Sequence, residues 1–342
     1  MSVAIPLVRV AGLKMATSFL ERVGAPVDRL LEKAKLSPDL LEQPEALVPF
    51  LAVTRFVEEV ARAEKLEDLG LRIGTAAPPL PPGTFGRIIG QSLTLQDALD
   101  TLCRLWPSCN SSAHVWLTRS ADQVHLHYRF LHGTEQDWRH FVAASLMQFL
   151  NFVRFVAGPG WRPTAIQLPM HELPGSCAVP LLADTPITFG HSAATITFSV
   201  ALLHRPVPCA PRVMTSTEVT AWERAKPAAD VGGAVRQVIT TMLPVGYPDV
   251  HLVAEAVRTS ARTLQRRLHG EGLTFRRVVA QARFDEARRL LGDPARKVID
   301  VALDLGYSDP SHMSRAFARW TGHVPREFRR LLAAGHPDAA SS

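Results

Sequence analysis

Apolar spacing divides the chain into an α+β N-terminal part and an all-α C-terminal part. Over 1–75, hydrophobic residues recur at helical intervals in 16–23, 27–34 and 51–63, punctuated by Pro26, Pro38, Pro44 and Pro49. The run APPLPPG at 77–83 reads as a stiff turn, because helical periodicity resumes at 85–89 and 95–106. The period then drops to two. Residues 113–118 and 123–130 alternate apolar and polar side chains about RSAD, which predicts a β-hairpin. A long helix over 135–157 carries Trp138, Phe141, Val142, Leu146, Phe149, Phe152, Val153 and Val156. Being apolar on most faces, it is expected at the centre of its domain. Short strands are predicted at 165–168, 187–189 and 194–198, and helices at 218–224 and 234–242, with MLPVGYPDV at 242–250 marking a boundary.

Beyond that boundary the pattern is helical throughout. A short helix over 251–257 leads through a turn to a second helix at Ser260. There Ala261, Leu264 and Leu268 share one face while Arg262, Gln265 and Arg266 project from another. A longer helix over 274–291 buries Phe275, Val278, Val279, Ala282, Ala287, Leu290 and Leu291. The plan then repeats. Val298, Val301, Ala302 and Leu305 form an apolar stripe, and Gly306 suits the left-handed cap that ends a helix. Ser308 or Asp309 can cap the next helix, with Pro310 in its first turn. On that helix, 310–321, Met313, Ala316, Phe317 and Trp320 bury together, leaving Ser311, His312, Arg315 and Arg319 outside. Short helix, tight turn and arginine-studded second helix is the helix-turn-helix plan, present twice.

Charge sharpens this reading. The chain carries a net +6, and residues 251–342 hold 16 Lys and Arg against 10 Asp and Glu, so the whole excess lies on the twice-repeated segment. Coupled to that pattern, a basic surface points to phosphate rather than to a merely solvated face.

The last ~90 residues resemble the DNA-binding domain of the AraC/XylS family of bacterial transcription regulators. The likeness runs through RTLQRRLHGEGLTF, the A-x-x-LL ending of the connecting helix, GYSDPSHMSRAFARWTGHVP and the final FR. It implies that Arg262, Gln265 and Arg266, and Ser311, His312 and Arg315, lie against base edges or nearby phosphates. One departure is Arg258, where the family usually has glycine; a side chain held left-handed costs roughly 1–2 kcal/mol. More weakly, about 23–206 resemble the arabinose-binding-type sensor domain of the same regulators, chiefly through GTFGRIIGQSLTLQDALDTLCRLW. That resemblance implies effector sensing. The strand-rich pattern of the sugar-binding barrel is missing, so the ligand itself is not carried over.

A ligand pocket needs a concave apolar lining with few polar anchors. Candidates are Phe85, Trp106, Trp116, Tyr128, Phe130, Trp138 and Phe149, with Arg87, Arg104, Arg129 or His140 as anchors for an acidic group; for any single aromatic plain core packing is the commoner role, and for a basic anchor a place on the surface. His125 and His127 share a strand face, but no third ligand stands at matching spacing, so a surface pair is expected and not a metal site. Cys103, Cys109, Cys177 and Cys209 form no C-x-x-C pair, which suggests buried reduced thiols and argues against a zinc-dependent methyl acceptor. G-x-S-x-G, Walker and G-x-G-x-x-G motifs are absent, and Gly83-Thr84-Phe85-Gly86 is too short for a phosphate loop, so neither a cofactor nor an enzyme is expected. No apolar run approaches the ~18 residues of a membrane span and the first residues lack a secretory core, so a cytoplasmic location is expected.

The expectation is a double-stranded DNA-binding regulator with an effector-sensing and dimerisation domain over 1–210, a helical linker region over 211–249, the double helix-turn-helix over 250–333 and a flexible tail over 334–342. Arg262, Gln265, Arg266 and Arg315 would read two successive major-groove segments about one turn (~34 Å) apart. The resemblance further implies a homodimer and activation through RNA polymerase. A domain that only dimerises or docks a protein partner stays open as the alternative.

Overall fold

The computed structural model describes residues 5–34, 36–132, 134–208 and 214–333. It forms two compact units, one spanning Pro6–Pro227 and the other beginning at Ala228.

In the first unit, β1 (Leu7–Arg9) leads into α1 (Val10–Arg22) and α2 (Val27–Lys33), and pairs antiparallel with β2 (Leu47–Pro49), Leu7 opposite Pro49. These three-residue strands lie in a stretch whose periodicity predicts only helix; they are too short to show a period. The helices α3 (Phe50–Ala63), α4 (Leu69–Ala76), α5 (Thr84–Ile89) and α6 (Leu95–Cys109) follow. The predicted end of α6 at Trp106 falls short because Pro107 is accepted in its last turn, where Asn110 N–H still reaches the Trp106 carbonyl at 2.9 Å. The hairpin is β3 (Ala113–Arg119) and β4 (Gln123–Phe130), and α7 (Glu135–Ala157) follows as predicted. With β5 (Ala165–Gln167), β6 (Ile187–Thr188) and β7 (Ala194–Ser199) the hairpin builds a five-stranded sheet in the order β3-β4-β7-β5-β6, antiparallel except for β5 and β6.

One core joins the inner sheet face (Val115, Val124, Leu126, Tyr128, Ile166, Ile196, Phe198) to α6 and α7. A second packs α1, α2 and α3 around Leu13, Leu31, Phe50 and Phe56. By length and composition α7 could cross a membrane, but 56% of that window is buried within the protein. It lies hard against α4, where a Cβ on Gly70 would sit 2.2 Å from the His140 carbonyl oxygen and one on Gly74 2.6 Å from that of Ala144. Only glycine permits this approach. The unit closes with α8 (Ser216–Arg224), whose Trp222 is buried.

In the second unit, Val235, Val238 and Ile239 of α9 (Val231–Met242) are fully buried. Of the two helices within 211–249, the span expected as a helical linker region, α8 places Trp222 in the core of the first unit and α9 belongs to the second. Then come α10 (Val250–Ala256), α11 (Ala261–Gly270), α12 (Phe275–Leu291), α13 (Val298–Asp304), α14 (Pro310–Thr321) and α15 (Pro325–Ala333). The last is a helix where the sequence shows only a closing motif. The expected tail over 334–342 lies outside the described residues, as does Cys209. Of the other cysteines, Cys103 and Cys109 are half-buried, but Cys177 is exposed rather than buried.

Candidate nucleic-acid interface and ligand cavity

Local sequence sets up both second-unit helices. The Ser260 hydroxyl accepts from Thr263 N–H at 3.1 Å and starts α11; the Asp309 carboxylate accepts from Ser311 N–H at 2.7 Å and starts α14, with Pro310 in the first turn. That backbone hydrogen bond, then the one to the Ser311 side chain, holds the Asp309 carboxyl below its ordinary range. On α11, Leu264 and Leu268 are fully buried while Arg262, Gln265 and Arg266 are exposed. On α14, Met313, Ala316 and Phe317 are buried and Ser311, His312, Arg315 and Arg319 are exposed. Trp320 is half-buried, edge-on to Phe284 at 5.7 Å.

The turns before these helices differ. Gly306 sits at φ +71°, and a Cβ there would come within 2.7 Å of the Gly246 carbonyl oxygen. The matching position in the first copy is Arg258, held at φ +53°. Sequence patterning did not single out Arg283, a charged residue inside the buried stripe of α12. Its Nε and Nη2 donate to the carbonyls of Leu305 and Gly306, both at 3.0 Å, and its guanidinium lies 4.2 Å from the Tyr307 ring centre and 4.9 Å from that of Tyr247. Arg283 thus clamps the second turn. Glu271, in the loop after α11, accepts from Val231 and Gly232 N–H at 2.9 and 2.8 Å and caps α9 from a distance in sequence.

The first unit holds a cavity of about 150 Å³ between α1, α6, α7 and the proline strap after α4. Of the aromatic candidates, Phe85, Trp106 and Phe149 line it; His140 does so too. Tyr128 sits behind the wall, 5.5 Å from Trp106 and 5.7 Å from Phe149. The others lie elsewhere. Strand parity puts Trp116 on the outer sheet face, stacked between His114 and His127 at 5.0 and 4.9 Å, with Arg129 5.7 Å from its ring centre. Trp138 stacks on Phe130 at 6.3 Å, exposed Arg87 turns to the Thr84 hydroxyl at 3.0 Å, and Arg104 pairs with Glu223 at 2.7 Å. His125 and His127 meet the hydroxyls of Thr197 and Thr195, each at 3.0 Å.

Residues with no motif signal supply the polar parts of the cavity. Arg9 is buried and fully engaged: it donates to the carbonyls of Ser108, Glu45, Trp222 and Ala225, and pairs with the Glu45 carboxylate at 3.3 Å. Burial lowers its pKa, with Glu45 opposing. Glu45 also accepts from Thr84 N–H at 2.7 Å and from Trp222 Nε1 at 2.5 Å. The Trp222 ring stacks on Phe85 of the cavity wall at 5.9 Å. The Gln148 amide nitrogen donates to Pro78 and Pro79 at 2.7 and 3.0 Å, tethering the strap to α7. His140 Nδ1 accepts from Gly70 N–H at 3.3 Å, while its Nε2 lies 3.5 Å from Glu58 without a hydrogen bond. Burial first, and Arg139 next, bring His140 down to about 4 against the pull of Glu58 and Asp68. Burial likewise pushes the Cys103 thiol up to about 12 and raises that of Cys109.

Comparison with known proteins agrees with this division. The family profile described as the arabinose-binding domain of AraC transcription regulators matches residues 24–207, and a helix-turn-helix domain profile matches 253–331. The chain is similar to the HTH-type transcriptional regulator VirS of Mycobacterium tuberculosis, at 24% identity over 94% of this chain and 96% of that one. It is 39% identical to the HTH-type transcriptional regulator VqsM of Pseudomonas aeruginosa over 28% of this chain and 31% of that one. Among solved structures, that of the transcriptional regulator CdpR from Pseudomonas aeruginosa aligns with a TM-score of 0.43 at 20% identity, covering 94% of this chain and 98% of that one.

Proposed function

The chain belongs to the AraC family of transcription regulators, and from that premise we propose that α11 and α14 read duplex DNA under the control of a small molecule held in the first unit. DNA-binding regulation is the family's function. The carrying observation is that both second helices bury an apolar face while Arg262, Gln265 and Arg266, and Ser311, His312, Arg315 and Arg319, stay exposed. Long cationic side chains kept out of the core are available to phosphates, and arginine and glutamine can pair bidentately with guanine and adenine.

Effector control is supported by the cavity and by what its wall holds. Phe85, Arg9 and Glu45 all engage Trp222 or its backbone, and Trp222 lies on the last helix before the chain enters the second unit. A ligand would act by binding two arrangements of this wall with different affinity. Family membership supports a homodimer that activates through RNA polymerase. The reading is tested by operator binding of Arg315→Ala, which should lose about 1–3 kcal/mol and relax base preference at its site. Unaltered affinity and footprint would remove Arg315 as a reader.

A further inference from the structure

We propose, resting on the effector reading above, that α8 is a latch: Arg9 and Glu45 hold it against the first unit in one arrangement, and its release in a second arrangement changes how the second unit is presented to DNA.

What holds α8 is narrow. Its nine residues are fewer than the ~12–15 an isolated helix needs in water, so its helicity depends on docking. Trp222 is its one buried residue. Glu223 adds an exposed pair with Arg104 at 2.7 Å, and exposed pairs contribute little. The rest of the attachment is polar. Trp222 Nε1 donates to Glu45 at 2.5 Å. Arg9 Nη2 donates to the carbonyls of Trp222 and Ala225 at 3.1 and 3.0 Å, with its guanidinium carbon 4.4 Å from the Trp222 ring centre. Those carbonyls stand at the end of the helix, where a cation is a favourable partner.

The hold is also cooperative. Glu45 Oε2 accepts from both Trp222 and Arg9, while its Oε1 accepts from Thr84 N–H. The remaining Arg9 nitrogens serve the carbonyls of Ser108 and Glu45, and the residue is 2% exposed. In so dry a network, losing one partner strands the others, so partial engagement is disfavoured. An attachment spread over many apolar side chains would yield by degrees. This one lets go as a unit.

Two features give release a consequence. The final grip is on the Ala225 carbonyl, just before the second unit begins at Ala228. Freeing the nine residues of α8 adds on the order of 15 Å of reach to the chain joining the units, at about 5–6 Å × √n for a flexible segment. A longer tether lowers the effective concentration of reading helices at paired sites on DNA. The second feature is the cavity. Arg9, Glu45 and Phe85, on which Trp222 stacks at 5.9 Å, all line it, so an occupant touches the side chains that hold α8.

The test uses the full chain and no small molecule. Hydrogen exchange is followed at 219–225, with α6 and α7 as internal reference, beside operator affinity. Trp222→Phe keeps a ring against Phe85 and removes the bond to Glu45. Arg9→Lys keeps the charge but cannot span Ser108, Glu45 and α8 together. Each variant should raise exchange at 219–225 by about tenfold or more, the size expected for one hydrogen bond to a charged group, while α6 and α7 stay within about twofold. Each should also shift operator affinity by about threefold or more, and in a Glu45→Gln background Trp222→Phe should add less than about threefold to the exchange. The latch is overturned if exchange at 219–225 is unchanged, if α6 and α7 loosen equally, if the two substitutions add in full, or if α8 is released with operator affinity unaltered. Wild-type amides at 219–225 exchanging as unstructured chain would overturn it too. These failures remove α8 as the transmitting element and leave the effector reading standing; that reading fails by a different result, a wild-type operator affinity that small molecules never alter.

Discussion

Replacing Arg283 by methionine isolates what the clamp on the second helix-turn-helix contributes. Arg283 is 8% exposed and makes two bonds of 3.0 Å to the carbonyls of Leu305 and Gly306 between the rings of Tyr247 and Tyr307. Hydrogen bonds to a charged donor contribute about 1.5–3 kcal/mol each, and the ring contacts about 0.5–1 kcal/mol each. Methionine no longer strips water from a guanidinium, which offsets roughly half of that sum. The net loss is about 2–4 kcal/mol, concentrated at the turn and α13. In hydrogen exchange on the full chain, amides of 301–307 should lose protection by roughly 30- to 700-fold, while those of α7 are unchanged. Arg283→Lys keeps the charge but not the fork, and should fall between the two. Operator affinity should drop as well, because α14 is aimed by this turn. Wild-type protection at 301–307 in Arg283→Met would refute the clamp.

Three further outcomes follow from the geometry. Arg258→Gly should raise the urea midpoint above that of Arg258→Ala, which loses the same side-chain contacts, by the equivalent of about 0.5–1 kcal/mol, since relief of the left-handed backbone (~1–2 kcal/mol) exceeds the entropy glycine adds to the unfolded chain; an equal or lower midpoint than Arg258→Ala would mean the turn is not strained. Glu271→Ala should cost about 1–2 kcal/mol by leaving Val231 and Gly232 N–H without their acceptor, read as a lower thermal midpoint. His140 is held neutral in the fold, so its contribution is complete above about pH 6.5 and is lost as pH falls toward 4, where the unfolded chain binds the proton first. Urea midpoints across that window should slope less in His140→Gln than in the wild type; equal slopes would place the acid sensitivity elsewhere.

Helix periodicity and capping are local, so α11 and α14 could be read directly from spacing. A 3.6-residue repeat fixes which side chains share a face, and Ser260 and Asp309 start their helices through bonds spanning two or three residues. The exposed arginine faces follow from that alone. The same locality explains why α7 and the hairpin were legible from end to end.

The cavity depended on contacts between parts of the chain far apart in sequence. Arg9 reaches Trp222 across 213 residues, Gln148 reaches Pro78 across 70, and nothing in the spacing of either residue marks it as part of a site. Aromatic content named Trp116 and Trp106 alike, but the parity of β3 turns Trp116 to the outer sheet face while α6 turns Trp106 inward. The division at 227 and 228 was also decided by packing, because α8 and α9 follow one another in sequence yet bury their apolar faces in different cores. Sequence thus determined which faces of the C-terminal helices are cationic, since a helix repeats itself every few residues. Tertiary structure decided where a small molecule could be enclosed, since enclosure needs walls from segments that only folding brings together.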